Sequence, residues 1–467
     1  MRKVLITTIV LITLLCSGGH AQSPNSFSVA LEKKISDWVT VPCEESGFCV
    51  VAEKKLKENK QLIINHFDTA MHTVFDTAFT LGLDSQGQFI FYENGALVVF
   101  HRVYNKRQAG RGTLLLYHLD SKTIDSLEIT GLPADGGSGW WHHYNGNIVF
   151  SEKGKRGDQV WFLPAGATQP LPFSFTQTNH GEVVALNVDT TSGKAIICFS
   201  SAGRTAYFET DFTGKSSFAN ILNEPATSAQ WISVSRNHSL LMLYYEDDKT
   251  FYLHPINILN HKVMPSETIY CADILVPETL PNNATKKQTI MITPNSYISF
   301  LPSYISLNDD RISCITELYW PEYYNYFNGM YVENRFYGYR YERGDVHFFD
   351  TNGVFQTNIT FPYGNEGVIQ QNIRYKLRIR PLQNNDLLLY YRDGQVLTTM
   401  LLDSTLKVKD PMRIADLPVP QIPLKKQKIV VDKFAPWYRN KFLLTNFRIN
   451  TLSREKTAFD ATRLEYR

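Results

Sequence analysis

The sequence lacks most of the motifs by which a chemistry is recognised. Its 467 residues include 47 Lys and Arg and 45 Asp and Glu, a net charge of +2, and no basic cluster favours nucleic-acid binding. The string Gly136-Gly137-Ser138-Gly139-Trp140 has Trp where the nucleophile turn of α/β-hydrolases needs its second Gly. The sequence patterns of phosphate- and calcium-binding loops are also missing. We expect no catalytic residue, no metal site and no cofactor, which leans against an enzyme without deciding the question.

Beyond the N-terminus, no apolar run is long enough to cross a membrane. At the N-terminus, two basic residues precede an apolar stretch from Val4 to Leu15, and Gly19-His20-Ala21 has the small residues that a signal peptidase reads. We predict a signal peptide over residues 1–21. A minor alternative is lipidation at Cys16, although a Leu precedes it where that reaction needs a small residue. The protein is expected to be exported to the periplasm, the outer membrane or the exterior, with no transmembrane segment after cleavage.

Cysteine is scarce, with six residues in total. Cys43 and Cys49 flank Glu44-Glu45-Ser46-Gly47, which is typical of a turn, so the two are expected to face each other across a hairpin. Because an exported protein meets an oxidising environment, we predict a disulfide between them. Cleavage leaves an odd number of cysteines, so at least one free thiol or intermolecular bond is expected. Cys198 lies in an apolar strand and is predicted to be a buried free thiol.

The strongest positive feature is a repeat. Short apolar runs end in Asp, and a second short run follows, at Asp68, Asp120, Asp211, Asp350 and Asp403, with a looser instance at Asp247. The first two instances are 52 residues apart, and Asp350 and Asp403 are 53 apart. The gaps between, 91 and 139, are about two and three periods. Repeats of ~40–50 residues with four strands each are typical of propeller blades. We predict an all-β fold, a single β-propeller of seven or eight four-stranded blades over residues 22–467.

Some segments have particular roles in this prediction. The strand predicted from Phe27 to Glu32 is the natural candidate to complete the last blade. The repeated Asp side chains are expected to hold their turns by accepting backbone hydrogen bonds. One degenerate repeat is expected around Thr289 to Phe300, and the Pro-rich region near residues 271–331 is expected to be an irregular, decorated part of the propeller.

The units from Thr113 to Ile129 and from Asp345 to Thr360, each a strand, an Asp turn and a strand, resemble those of secreted bacterial WD-repeat-like or TolB-like β-propeller proteins. The resemblance extends over most of the mature chain, although the Trp-Asp dipeptide that names the WD repeat is absent. It implies a propeller, a fold that hosts binding, scaffolding and hydrolysis alike.

Two aromatic clusters are candidate binding sites. In Tyr319–Phe327 the aromatics are nearly consecutive, and because strand side chains alternate between faces, they cannot all be buried. Tyr and Trp provide large contact areas with a polar tip, which suits protein or sugar surfaces. The predicted binding residues, in order of preference, are Trp320, Tyr323, Tyr324 and Tyr326, then Trp140 and Trp141.

The function that these features favour is an exported, non-catalytic binding or scaffolding propeller of the bacterial envelope or exterior. Its expected partner is a protein or a glycan, not nucleic acid. The alternative is a glycan- or peptide-hydrolysing propeller with acidic residues at its central funnel. Convergence of two carboxylates, or of a His and a carboxylate, in a solvent-filled funnel would favour the enzyme.

Overall fold

The computed structural model describes most of the chain from residue 25 onwards. The described residues are 25–30, 35–103, 110–132, 139–153, 157–173, 181–189, 192–201, 203–214, 216–233, 238–245, 250–257, 262–263, 267–270, 298–299, 304–307, 311–327, 331–350, 354–363, 368–370, 376–418 and 427–466. The predicted signal peptide, Cys16, the Asp247 turn and most of the predicted degenerate repeat lie outside these ranges. Within them, no helix has the length and apolar character of a membrane span.

The described residues form eight antiparallel sheets, which confirms the all-β propeller of seven or eight blades; the eight described sheets are called blades 1 to 8. One strand, β1 (Asn25–Ala30), precedes the first blade, and the sole described helix is a short 3-10 turn, Glu44–Ser46. Blades 1 to 4 contain β2 (Ile35–Pro42), β3 (Phe48–Lys55), β4 (Lys60–Phe67), β5 (Thr73–Leu81); β6 (Ser85–Glu93), β7 (Ala96–Val103), β8 (Gly110–His118), β9 (Thr123–Leu132); β10 (Trp141–Tyr144), β11 (Asn147–Glu152), β12 (Gln159–Leu163), β13 (Leu171–Pro172); and β14 (Glu182–Asp189), β15 (Lys194–Ser201), β16 (Arg204–Thr210), β17 (Ser216–Leu222).

Blades 5 and 6 have additional short strands. Blades 5 to 8 contain β18 (Ser228–Ser233), β19 (His238–Tyr245), β20 (Thr250–Asn257), β21 (Lys262–Val263), β22 (Glu267–Tyr270); β23 (Ile298–Ser299), β24 (Tyr304–Leu307), β25 (Arg311–Phe327), β26 (Val332–Asp350), β27 (Phe355–Pro362), β28 (Val368–Gln370); β29 (Arg378–Pro381), β30 (Leu387–Asp393), β31 (Val396–Leu402), β32 (Val408–Asp416); and β33 (Gln427–Pro436), β34 (Lys441–Asn450), β35 (Lys456–Glu465).

The ring closes through the N-terminal strand. Strand β1 pairs antiparallel with β35, from Asn25 opposite Arg463 to Ala30 opposite Ala458, so blade 8 is built from both ends of the described chain. The expectation that the segment from Phe27 completes the last blade is therefore confirmed. First strands of neighbouring blades lie against each other, as β2 does against both β6 and β33, which places them around the ring axis.

The hydrophobic core lies between blades rather than within one layer. The second strands, such as β7 and β15, are buried on both faces because a neighbouring blade covers each side. This double burial explains why they appear in the sequence as continuous apolar runs rather than alternating ones. Fourth strands such as β32 are largely exposed, and their sequences mix polar and apolar residues.

Blade 6 explains the irregular repeat spacing. Its β25 and β26 have 17 and 19 residues, about twice the length of most strands in the other blades. Within the described chain there is no ninth sheet to match a degenerate repeat, and Ile298–Ser299, in the predicted span, pair with β25 of blade 6. Of the region expected to be irregular and decorated, residues 311–327 form one long strand whose pairing with β26 shifts register at 318/319 and again at 322/323.

Candidate binding site

The distinctive feature of blade 6 is a two-stranded extension. Near the blade, other strands flank the long hairpin: β23 pairs at 317–318, β24 at 311–314, β27 at 343–349 and β28 at 339–341. Further out, 323–327 pair only with 332–336 among described strands. We call residues 323–327 and 331–337 the aromatic ribbon.

The ribbon exposes large side chains on both of its faces, because no described sheet covers either one. Every residue from Tyr323 to Phe327 is exposed. Exposed fractions of 39 to 65% are found for its seven aromatics, Tyr323, Tyr324, Tyr326, Phe327, Tyr331, Phe336 and Tyr337. Alternation along the strands places Tyr323, Phe327 and Phe336 on one face and Tyr324 and Tyr326 on the other.

Aromatic contacts continue from the propeller core into the ribbon. On one face, successive rings meet at centroid distances of 5.0 to 6.3 Å, in the order Tyr363, Tyr341, Tyr319, Tyr339, Phe336 and Tyr323. Tyr363 and Tyr341 are fully buried, whereas Tyr323 is 53% exposed. The base of this series is thus fixed in the core and holds the outer rings in place.

The opposite face combines aromatic and charged groups. Tyr324 packs edge-on against Tyr337 at 5.8 Å. The Arg335 guanidinium lies 3.8 Å above the Tyr326 ring and 3.3 Å from the Glu333 carboxylate. These contacts leave the rings on the surface in defined positions, which lowers the entropy cost of binding.

Three of the four preferred binding residues are where the prediction requires them. Tyr323, Tyr324 and Tyr326 are exposed on the ribbon, while the Trp320 side chain lies outside the described part and only its backbone is placed, opposite Arg340. Whether they bind anything stays a prediction. Sequence reasoning missed their cross-strand neighbours Phe336 and Tyr337 although Phe336-Tyr337-Gly338-Tyr339-Arg340-Tyr341 gave the signal.

The second-choice pair divides into one partly buried residue that packs against the core and one exposed residue. Trp141 stacks on Phe150 with ring centroids 4.2 Å apart and also packs against Phe89 and Phe100, between blades 2 and 3. Trp140 is 45% exposed. Trp141 therefore has a packing role, Trp140 offers the larger contact surface, and binding by either one stays a prediction.

Cys43 and Cys49 lie together in the core between blades 1 and 2 as free, fully buried thiols. A hydrogen bond with Cys43, together with burial, raises the pKa of the Cys49 thiol far above its usual range. The turn they flank also anchors blade 8, because Trp437 donates its indole N–H to the carbonyl of Gly47 at 2.5 Å. The predicted disulfide stays a prediction. Cys198 is a buried free thiol, as expected.

The repeated Asp residues sit at equivalent turns, between the third and fourth strands of blades 1, 2, 4, 6 and 7. Asp68 accepts hydrogen bonds from the backbone N–H groups of Ala70 and His72, and Asp403 does the same for Thr405 and Lys407. Asp120 is exposed and accepts no such bond among those described. The structural role is thus supported for most of these Asp residues but not for Asp120.

Buried carboxylates, the candidates for hydrolytic chemistry, have structural partners. Arg102 bonds Glu152 at 2.5 Å across blades 2 and 3. Glu317 accepts bonds from the Tyr363 hydroxyl and from two backbone N–H groups, at Lys376 and Leu377. Burial raises the pKa of Glu317, although these hydrogen bonds oppose the rise. Among the described residues, no group of three or more His, Cys, Asp or Glu is arranged to hold a metal.

Comparisons with known proteins return distant structural neighbours. No protein-family profile matches the chain, and no curated protein matches it. The chain is similar to dihydro-heme d1 dehydrogenase NirN (TM-score 0.45, 11% identity, 94% of this chain and 78% of that one) and to the Dos1 propeller (0.42, 9%, 94% of each). It is also similar to the β-propeller domain of the Trilobed protease from Pyrococcus furiosus (0.37, 9%, 81% and 93%). At these values no function is transferred, and the propeller assignment rests on the strand pairing described above.

Proposed function

We propose that this chain is an exported, non-catalytic binding or scaffolding propeller of the bacterial envelope or exterior, and that the aromatic ribbon is its contact surface. The observation that carries the proposal is the exposure of seven aromatics on a two-stranded extension of a packed blade. A rigid scaffold that presents such a segment is a common way to build a binding site.

The size of the ribbon surface supports this role. At ~150–250 Å² for each aromatic side chain, the exposed fractions correspond to roughly 700 Å². One side of a standard protein–protein interface is ~800 Å². Because the rings lie on two faces, this area is divided into two patches of a few hundred Å² each, the size of the largest apolar patch on a typical monomer, which is often functional.

A protein partner fits the ribbon better than a glycan does. Sugars stack on one ring face at a time, whereas the ribbon exposes rings on two faces and a strand edge besides. An extended partner strand uses that edge for backbone hydrogen bonds and the rings for side-chain contacts.

The enzyme alternative receives less support from the described acidic residues. Glu152 and Glu317 are tied to groups of neighbouring blades, and Asp345 bonds the Thr360 hydroxyl and Arg343. Removing a carboxylate from such a buried arrangement affects stability first. These contacts favour structural roles for Glu152, Glu317 and Asp345 over hydrolysis.

Export motivates a further part of the proposal, which is that Cys43 and Cys49 become linked in the oxidising compartment. The two thiols are buried in the same cluster, and Cys43 contributes to the raised pKa of the Cys49 thiol, as expected for neighbouring side chains.

Site-specific photo-cross-linking tests the contact surface. A benzophenone amino acid would replace Phe327 on the ribbon or, as a matched control, Leu452, which is 74% exposed on blade 8. After irradiation of intact cells, we expect a discrete protein adduct from position 327 and none from position 452. Equal yields from both positions, or an adduct from neither, would contradict the proposal. Retardation of the chain in gels containing glycans, lost on Tyr324→Ser substitution, would indicate a glycan instead.

A further inference from the structure

The part of β25 that lies in the ribbon has a nearly symmetric sequence. Residues 323–327 read Tyr-Tyr-Asn-Tyr-Phe, with two aromatics on each side of Asn325. All five are exposed, and from Tyr319 to Phe327 no described strand pairs with the edge of β25 that faces away from β26. An exposed, uncharged strand edge of this kind is a template for pairing with another strand.

The symmetry of this sequence makes a second copy of β25 a suitable pairing strand. If two copies of β25 pair antiparallel around a two-fold axis through Asn325, position 324 of one copy lies opposite position 326 of the other, and position 323 lies opposite 327. Because directly opposed residues share a sheet face, Tyr324 meets Tyr326 on one face, and Tyr323 meets Phe327 on the other. Asn325 then lies opposite its own copy on the axis, the opposed pairs on either side of it are aromatic, and none brings like charges together.

We infer that the ribbon is a self-association site, and that its occupant is the ribbon of a second copy of this chain. The two hairpins form a four-stranded sheet in the order β26, β25, and the partner's two equivalent strands. Such an isologous contact closes after two copies, as in most homodimers. The four exposed aromatics of β25 that line this contact correspond to roughly 400 Å² on each copy, which places the dimer at the small, weak end of protein–protein interfaces.

The charged pair of the ribbon is compatible with this arrangement. Arg335 and Glu333 belong to β26, which lies one strand away from the new contact, and they bond each other at 3.3 Å. The Arg335 guanidinium covers the Tyr326 ring from within its own hairpin. The aromatic pairs therefore form without burying an uncompensated charge.

This inference rests on the proposed contact role of the ribbon and adds the identity of the partner. Sedimentation equilibrium of the mature chain, from low micromolar to several hundred micromolar, tests it. We expect a monomer–dimer equilibrium for the unaltered chain. The double variant Tyr324→Lys/Tyr326→Lys opposes two like-charged pairs, and its self-association should weaken by tenfold or more.

A charge-swap variant checks the register. In Tyr324→Lys/Tyr326→Glu, the two-fold axis brings opposite charges together, so dimerisation should recover relative to the double Lys variant. The matched control is Val408→Lys/Ile414→Lys on β32, whose side chains are 51 and 63% exposed, and it should dimerise like the unaltered chain. Equal loss in both ribbon variants would overturn the register and with it the inference.

The outcomes also separate this inference from the broader proposal. A chain that stays monomeric at all concentrations but yields a position-327 adduct with a different protein overturns self-association and leaves the contact role intact. A monomeric chain with no adduct overturns both.

Discussion

The interfaces between neighbouring blades and the aromatic ribbon both contain packed aromatic rings, but the rings between blades are buried and those of the ribbon are exposed. In the interface between blades 2 and 3, Trp141 stacks on Phe150 with centroids 4.2 Å apart and Phe150 is fully buried. On the ribbon, Tyr324 meets Tyr337 at 5.8 Å and both rings are about half exposed. Trp141 and Phe150 lie directly opposite each other on antiparallel strands, and Tyr324 and Tyr337 lie on two antiparallel strands close to such a position. What differs is the presence of a neighbouring sheet, so aromatic composition alone does not distinguish core from contact surface.

The largest expected effect is a difference in the free energy of unfolding between a variant in the interface between blades and a variant on the ribbon. Phe150→Ala should lower the free energy of unfolding by ~3–5 kcal/mol, because it leaves a cavity between two blades. Tyr324→Ala removes an exposed ring and should change it by less than ~0.5 kcal/mol. Urea unfolding followed by tryptophan fluorescence measures both. A ribbon variant as destabilised as the interface variant would show that the ribbon belongs to the core.

The second prediction concerns the pH dependence of stability. His347 lies on β26 of blade 6, where burial lowers its pKa to about 4. In the unfolded chain its pKa is ~6.5. The unfolded state therefore binds more protons between these values, and stability falls as pH drops from 6.5 towards 4. The full shift corresponds to at most ~3 kcal/mol.

The His347→Gln variant is the control for this pH effect. Its free energy of unfolding should depend less steeply on pH between 6.5 and 4 than that of the unaltered chain. Identical slopes would mean that His347 is not held neutral by burial.

The third prediction concerns the two thiols in the core between blades 1 and 2. Oxidation of Cys43 and Cys49 closes a short loop, which should stabilise the chain by roughly 2 kcal/mol in the loop-entropy account. Unfolding midpoints with and without reductant measure this, and a non-reduced digest should contain the linked peptides. In Cys43→Ser/Cys49→Ser the reductant should have no effect. Alkylation of both thiols without reduction, in protein recovered from the exported fraction, would refute the disulfide.

The smallest effect distinguishes turns that look alike in sequence. Asp68→Ala removes an acceptor of two backbone hydrogen bonds and should cost ~1 kcal/mol. Asp120→Ala removes no such bond and should be nearly neutral. Comparing their urea midpoints tests the assignment, and equal losses would show that the Asp120 turn is held in the same way.

The repeat could be predicted from sequence because it reflects local physics. Second strands are buried on both faces and give apolar runs, and turns between third and fourth strands need an acceptor such as Asp68. The ribbon could not be predicted as a strand because Pro321 suggested a break. In the structure Pro321 lies on the outer strand of the hairpin, opposite Tyr339, and edge strands tolerate Pro.

The exposure of particular rings depends on blade neighbours that are far apart in sequence. Trp140 and Trp141 are adjacent, yet only the second reaches the rings of Phe89 and Phe100 in the previous blade. Alternation along a strand predicts that the two point to different sides. Which side another blade covers is a property of the assembled ring.

Hydroxyl-radical footprinting of tyrosines tests the central claim most directly, by comparing the dilute purified chain with the same chain in intact cells. In the dilute chain, Tyr323, Tyr324 and Tyr326 should be modified far faster than the buried Tyr117 and Tyr207. In cells, the three ribbon tyrosines should become protected while the buried ones stay unreactive, because a partner covers the ribbon. Ribbon tyrosines that react equally in both settings, or that are unreactive in the dilute chain, would contradict the account.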